Sequence, residues 1–196
     1  MSDYYTTHFM DYHQKTVSVI PLFLRPFIDR LEKGSSILDV GCGSGRDLLF
    51  LKKAGFAVTG FEKSPGLAHM AEVHSGCNVI RGDFETDCFA SLKVNAILLS
   101  GALVHVPGHR MGHVLQNILK ALHPQAPDRG LVYISLKEGF GTTTDETGRT
   151  FYLWQDDRLR VLYDQCGLVV LHFDRNVSTI DKDDIWLGYV LRKNTG

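Results

Sequence analysis

The chain has 196 residues, 44% hydrophobic and 22% charged, with a net charge of −1; that is room for one domain with a full core, taken here as 1–196. Acidic and basic residues alternate without a block of like charge, which argues against a nucleic-acid track. The most apolar region, 94–106, is broken by Asn95, Ser100 and His105, too early to cross a membrane.

The first sixteen residues carry no targeting pattern. Tyr5, Phe9 and Tyr12 fall at helical spacing, so one short amphipathic helix is expected there. Residues 21–33 open on Pro21, carry six apolar side chains and meet Gly34, which reads as a second helix. Strands and helices then alternate. Strands are expected at 36–40, 57–62, 78–83, 95–101 and 130–139, and helices at 44–54, 65–74, 108–122 and 156–165. Two last strands, 168–173 and 185–191, follow each other without a helix. Alternation of this kind builds βαβ units, hence an open, mostly parallel, Rossmann-like sheet with helices on both faces. The last two strands are expected as an antiparallel hairpin at one edge. The stretch 123–130, with two prolines and a glycine, reads as a loop. Cys42, Cys77, Cys88 and Cys166 form no CxxC pair and no secretory leader is present, so reduced thiols and a cytoplasmic location are expected.

The chemistry concentrates in ILDVGCGSGRD, residues 37–47, where a strand empties into Gly41, Gly43 and Gly45. A dinucleotide fingerprint, GxGxxG, would need its third glycine at 46, where Arg46 stands. Asp39 precedes the loop, where a pyrophosphate gains nothing from it. Glu62 ends the second strand, 21 residues after Gly41, and a carboxylate there can accept both hydroxyls of a ribose in either cofactor class. Asp83 ends the third strand with Phe84 beside it, suited to an adenine.

Taken together, DVGCGSGRD, the Glu62 strand end, RGDF and SGALVHVP resemble the ordered motifs of class I S-adenosylmethionine-dependent methyltransferases. The start, YYTTHFMDYH, resembles the lid helix of small-molecule members, and SLKEGFG with ETGRTFYLW resembles a compact subgroup. The resemblance implies a seven-stranded sheet with a reversed last strand and S-adenosyl-L-methionine as cofactor. It implies Asp39, Gly41, Cys42, Gly43 and Gly45 at the methionine end, with Arg46 reaching its carboxylate. It further implies Glu62 on the ribose, Lys63, Asp83 and Phe84 around the adenine, and the backbone of Ser100 and Gly101 at the ammonium. Two departures stand out: Asn95 in place of an acidic residue, and HPQAPDRG in place of a Pro-Gly-Gly-type turn.

His105, just past the fourth strand, is the candidate general base, with a capping or packing histidine as the plain alternative. Tyr4, Tyr5, His8 and Tyr12 are candidates for a lid over the acceptor. Lys137 and Arg149 are candidates for substrate contacts, the latter against a carboxylate; a solvated loop and an ion pair are the plain alternatives. His105, His109 and His113 recur every four residues, but Pro107 and Gly108 interrupt them and no acid or cysteine completes a metal set. The expected function is methyl transfer by in-line displacement to a small-molecule acceptor, by a monomer or homodimer, without nucleic-acid or membrane partners. A binding module without activity is the alternative, and a nicotinamide oxidoreductase is disfavoured by Arg46 and Asp39.

Overall fold

The computed structural model describes residues 4–124, 130–178 and 182–194. The elements run α1 (Tyr4–Thr7), α2 (Phe9–Thr16), α3 (Arg25–Ile28), β1 (Ser36–Val40), α4 (Arg46–Lys53), β2 (Ala57–Glu62), α5 (Pro65–Ser75), β3 (Asn78–Arg81) and β4 (Ala96–Ser100). They continue with α6 (Gly108–Ile118), β5 (Leu131–Lys137), β6 (Thr142–Thr144), β7 (Thr150–Tyr152), α7 (Asp156–Gln165), β8 (Leu168–Val177) and β9 (Ile185–Lys193). Seven strands form one sheet in the order β3-β2-β1-β4-β5-β9-β8. The first five are mutually parallel, and β9 runs antiparallel to both its neighbours.

Period two along each strand sends alternate residues to opposite faces. Leu38, Ile97, Leu99, Val132 and Ile134 pack one way, against Met111, Val114, Leu115 and Ile118 of α6 and Leu159 and Tyr163 of α7. Ile37, Leu98 and Tyr133 pack the other way, against Leu24, Phe27 and Leu51. Each such buried side chain is worth about 1.5–3 kcal/mol of transfer free energy, so both faces are covered for the same reason that the central strands read as unbroken apolar runs. Leu48 with Ala68 and Ala71 closes the α4–α5 contact.

Several expectations are corrected. The single N-terminal helix is two, because α1 ends at Thr7 and His8 leaves helical geometry before α2. The helix expected over 21–33 is a 3-10 turn at Leu22–Leu24 followed by α3. Pro26 lacks the N–H a continuous helix needs, so it fits only in the first turn of a restarted one. The hairpin β6–β7 sits in a stretch to which no element was assigned. Strands at the edge run longer than expected, to Val177 and Lys193, since β8 and β9 pair along nearly their whole length. Most of HPQAPDRG, residues 125–129, lies outside the described residues. Among the described residues no helix is long and apolar enough to cross a membrane.

After β1 the chain turns to β2 and β3 on one side, and β4 lies on the other side of β1. That reversal opens a crevice at the carboxyl ends of β1 and β4, where ligands of open α/β sheets sit.

Candidate functional site

The glycine loop lines that crevice. Gly41, Gly43 and Gly45 all have left-handed φ, +73°, +54° and +79°. Packing within the protein demands glycine as well. A Cβ on Gly41 would lie 2.7 Å from Cβ of Ala102, and one on Gly45 would lie 2.8 Å from Cα of Ala71. Gly43 is covered by Tyr12, whose ring would stand 3.1 Å from an added Cβ.

Glu62 stitches the loop to β2. Its Oε2 accepts the Gly43 N–H at 3.0 Å and its Oε1 accepts the Ser64 N–H at 2.8 Å. Burial raises its pKa, and these N–H donors oppose the rise. Asp39 is buried at the end of β1, and its Oδ2 has no hydrogen-bond partner. Burial, then the charge of Asp47, lifts the Asp39 carboxyl well above the ordinary range. Arg46 opens α4 and is held by both carboxylate oxygens of Asp47, at 2.6 and 2.8 Å, with Ser100 Oγ at 3.4 Å. Burial disfavours the guanidinium charge, and Asp47 more than restores it. Asp39, Gly41, Cys42, Arg46, Asp47 and Ser100 line a recess of about 30 Å³ together with Tyr12 and Thr16. The Thr16 hydroxyl lies 2.9 Å from that of Ser44.

On the β3 side, Lys63 Nζ donates to Asp83 Oδ2 at 2.7 Å, and the Glu85 N–H donates to Oδ1 at 3.0 Å. Burial raises the Asp83 pKa and these donors outweigh it, leaving it lowered. Phe84 is buried beside it. At the end of β4, Gly101 takes φ +66°, and its N–H donates to Ser135 Oγ at 3.0 Å. A Cβ there would meet Trp186 at 3.2 Å.

His105 closes a 3-10 turn after Gly101. Its Nδ1 lies 2.6 Å from the Thr150 carbonyl oxygen, which can only accept. Nδ1 therefore carries the hydrogen, and Nε2 presents a lone pair to the Tyr5 hydroxyl at 2.9 Å. Burial lowers the His105 pKa. Arg149 stacks on Tyr4, Tyr5 and Phe151 with its guanidinium carbon 4.6, 5.8 and 5.3 Å from the ring centres. Lys137 Nζ stands 3.9 Å above Phe151 and 5.8 Å from Trp186. The ion pairs named as plain alternatives are present too, Arg149 with Asp145 and Lys137 with Asp184. Lys137 is no solvated loop residue, its side chain being 12% exposed.

The candidate residues thus fall into two adjoining clusters, one around the glycine loop and one around His105. Tyr5 joins them, because its carbonyl also accepts from Ser64 Oγ at 2.6 Å. Sequence reasoning does not find Thr16, Ser44, Asp47, Ser64 or Trp186. Asp47 carries a signal, an acid in a first helical turn beside Arg46; Trp186 carries none, being brought in by the reversed strand β9. Among the described residues no three metal-ligating side chains gather.

Residues 37–125 match the family model described as a methyltransferase domain. Solved structures share the architecture across nearly the whole chain. The 1,6-didemethyltoxoflavin-N1-methyltransferase of Burkholderia thailandensis aligns over 96% of this chain and 84% of its own, at TM-score 0.74 and 20% identity. A TehB-like methyltransferase from Corynebacterium glutamicum aligns over 95% and 98%, at 0.69 and 21%. The magnesium protoporphyrin IX methyltransferase of Synechocystis aligns over 97% and 97%, at 0.69 and 16%. The chain has the fold of the S-adenosylmethionine-dependent methyltransferases, and its residues 37–125 match a methyltransferase domain. No curated protein matches it. The matched stretch of the methyltransferase domain holds the glycine loop, Glu62, Asp83, Ser100 and His105, whereas Lys137 and Arg149 lie beyond it.

Proposed function

We propose that the chain is a methyltransferase that takes S-adenosyl-L-methionine as donor and a small molecule as acceptor. The observation that carries this reading is the buried Asp39, whose free Oδ2 lies at the switch point beside a glycine loop. A buried carboxylate oxygen without a partner is costly, and the cationic ammonium of the donor is the group that relieves it. Arg46, anchored by Asp47, stands across the recess for the donor's carboxylate. Glu62 keeps lone pairs for the ribose hydroxyls after accepting its two N–H donors. Asp83, with Lys63, and the face of Phe84 frame the adenine. Cys42 contributes small buried packing, its thiol pushed up by burial. The bound donor supplies a methyl group on a sulfonium, open to in-line displacement.

A recess of about 30 Å³ holds one water, so α2 must swing away from Gly43 for the donor to enter and can return over it. That makes the helices over 4–16 a cover, with 21–33 flanking the core, and 34–196 the Rossmann-like core of one catalytic unit. Holding the acceptor in line contributes about 7–11 kcal/mol to the rate. His105, neutral and with Nε2 unprotonated, can take a proton where the acceptor must lose one. Two neighbours named above act, by their names, on 1,6-didemethyltoxoflavin and on magnesium protoporphyrin IX, which favours a small acceptor here.

Calorimetry with adenosylmethionine, its demethylated product adenosylhomocysteine and NAD tests the reading. Binding of the first two without NAD is expected; NAD binding alone overturns it. A mass shift of one methyl group in an acceptor panel separates an enzyme from a binding module.

A further inference from the structure

The cluster around His105 has a charge pattern of its own. Two cations, Lys137 and Arg149, share the ring of Phe151. Each is anchored from the loops. Asp145 takes Arg149 through Nε at 2.8 Å and Nη2 at 2.6 Å, and Asp184 takes one of the three Lys137 donors at 2.5 Å. Further donors remain on both groups. The phenol oxygen of Tyr5 already sits in this field, giving its hydrogen to His105 and accepting from Arg149. It marks a place where an oxygen ligand meets an imidazole lone pair and a guanidinium together. The walls are flat: Tyr4, Tyr5, Phe151 and Trp186.

We propose that this cluster is the acceptor site and that it selects small aromatic carboxylates, the carboxylate pairing with Lys137 and Arg149 and the ring lying against Tyr5 and Trp186. Arg149 offers a planar donor edge that fits a carboxylate. Lys137 adds a point charge within reach of the same aromatic ring. A neutral or cationic acceptor would leave the further donors of Lys137 and Arg149 without a charged partner. This inference rests on the methyltransferase reading and adds the acceptor's chemical class to it.

The test uses the full chain saturated with adenosylhomocysteine, and three matched probes: benzoate, benzamide and benzylammonium. Ligand-observed NMR titration measures their binding. Benzoate is expected to bind about ten-fold more tightly than either of the others, the equivalent of one charged hydrogen bond, and to weaken with added salt. Lys137→Met should lose about ten-fold in benzoate affinity, and Lys137→Arg should regain most of it, while adenosylhomocysteine affinity stays unchanged. Equal binding of benzoate and benzamide, or no benzoate binding, overturns the proposal, as does full benzoate affinity in Lys137→Met. The first comparison needs only the unaltered chain, so it stands even if a variant fails to fold. Failure of adenosylhomocysteine itself to bind overturns the reading beneath, and the two failures are told apart in the same titration.

Discussion

At the scale of single residues, two buried carboxylates with raised pKa values differ in what their oxygens meet. Asp39 gives up hydration without a hydrogen bond to Oδ2, so its folded pKa rises above its unfolded value. A raised carboxyl pKa means the native state holds the proton longer. Stability is therefore greatest below the unfolded pKa and is lost as pH rises toward the folded one. Asp39→Asn should raise Tm at neutral pH by a few degrees, at about 2–4 °C per kcal/mol for a chain of this size, and flatten that pH dependence. It should also weaken adenosylhomocysteine about ten-fold or more, because the ammonium loses its counter-charge. Scanning calorimetry across pH and a binding titration check both halves; a variant that is less stable and binds normally contradicts the assignment. Glu62 differs in having its N–H donors in place. Glu62→Ala leaves the Gly43 and Ser64 N–H groups unpaired, at about 1–3 kcal/mol each. It should lower stability and cofactor affinity together, with urea melts and calorimetry as the readouts.

At the scale of elements, the positive-φ glycines separate two reasons for one residue type. Gly34 has φ +85° and nothing within 4 Å of an added Cβ, whereas Gly45 has φ +79° with the α5 backbone at 2.8 Å. Alanine at Gly34 pays only the left-handed backbone penalty, about 1–2 kcal/mol. At Gly45 it must in addition push α4 away from α5, so Gly45→Ala should be more destabilising than Gly34→Ala by about 1–3 kcal/mol. Urea denaturation of the two variants measures the difference, and equal values would remove packing from the argument. The same distinction governs what could be read in advance. Strand β1 was legible to the residue because it reads as an apolar run broken by Asp39, and β2 because Gly55 ends the helix before it and Pro65 opens the helix after it. The hairpin β6–β7 was not, since Thr142–Thr144 is wholly exposed and polar and carries no alternation. Likewise Gly45 was legible as a loop glycine, while its true neighbour, Ala71, lies one βα unit away in sequence.

At the scale of the whole molecule, the site is closed by two segments far apart in the chain. The N-terminal helices reach the glycine loop through Tyr12 over Gly43 and Thr16 on Ser44, and reach the start of α5 through the Tyr5 carbonyl on Ser64. The β6–β7 hairpin reaches the same helices through Arg149 on Tyr4 and Tyr5, and holds His105 through the Thr150 carbonyl. Such long-range pairing carries no local sequence signature, which is why the acceptor side was legible only as scattered candidates while the glycine loop stood out. It also has a mechanical consequence. Cation–π contacts of a half-buried guanidinium are worth about 0.5–2 kcal/mol, enough to set how often α1 and α2 lift without affecting the sheet. Arg149→Met should therefore speed amide exchange in residues 4–16 by several-fold and leave β1 and β4 unchanged. Tyr12→Ala should speed donor association, by removing the ring over Gly43, and shorten its residence. Hydrogen exchange by mass spectrometry and stopped-flow binding report the two effects separately. Uniform faster exchange in Arg149→Met would mean the hairpin supports the whole fold, and unchanged exchange in residues 4–16 would mean the helices are held by their other contacts, at Gly43, Ser44, Ser64 and Gly66.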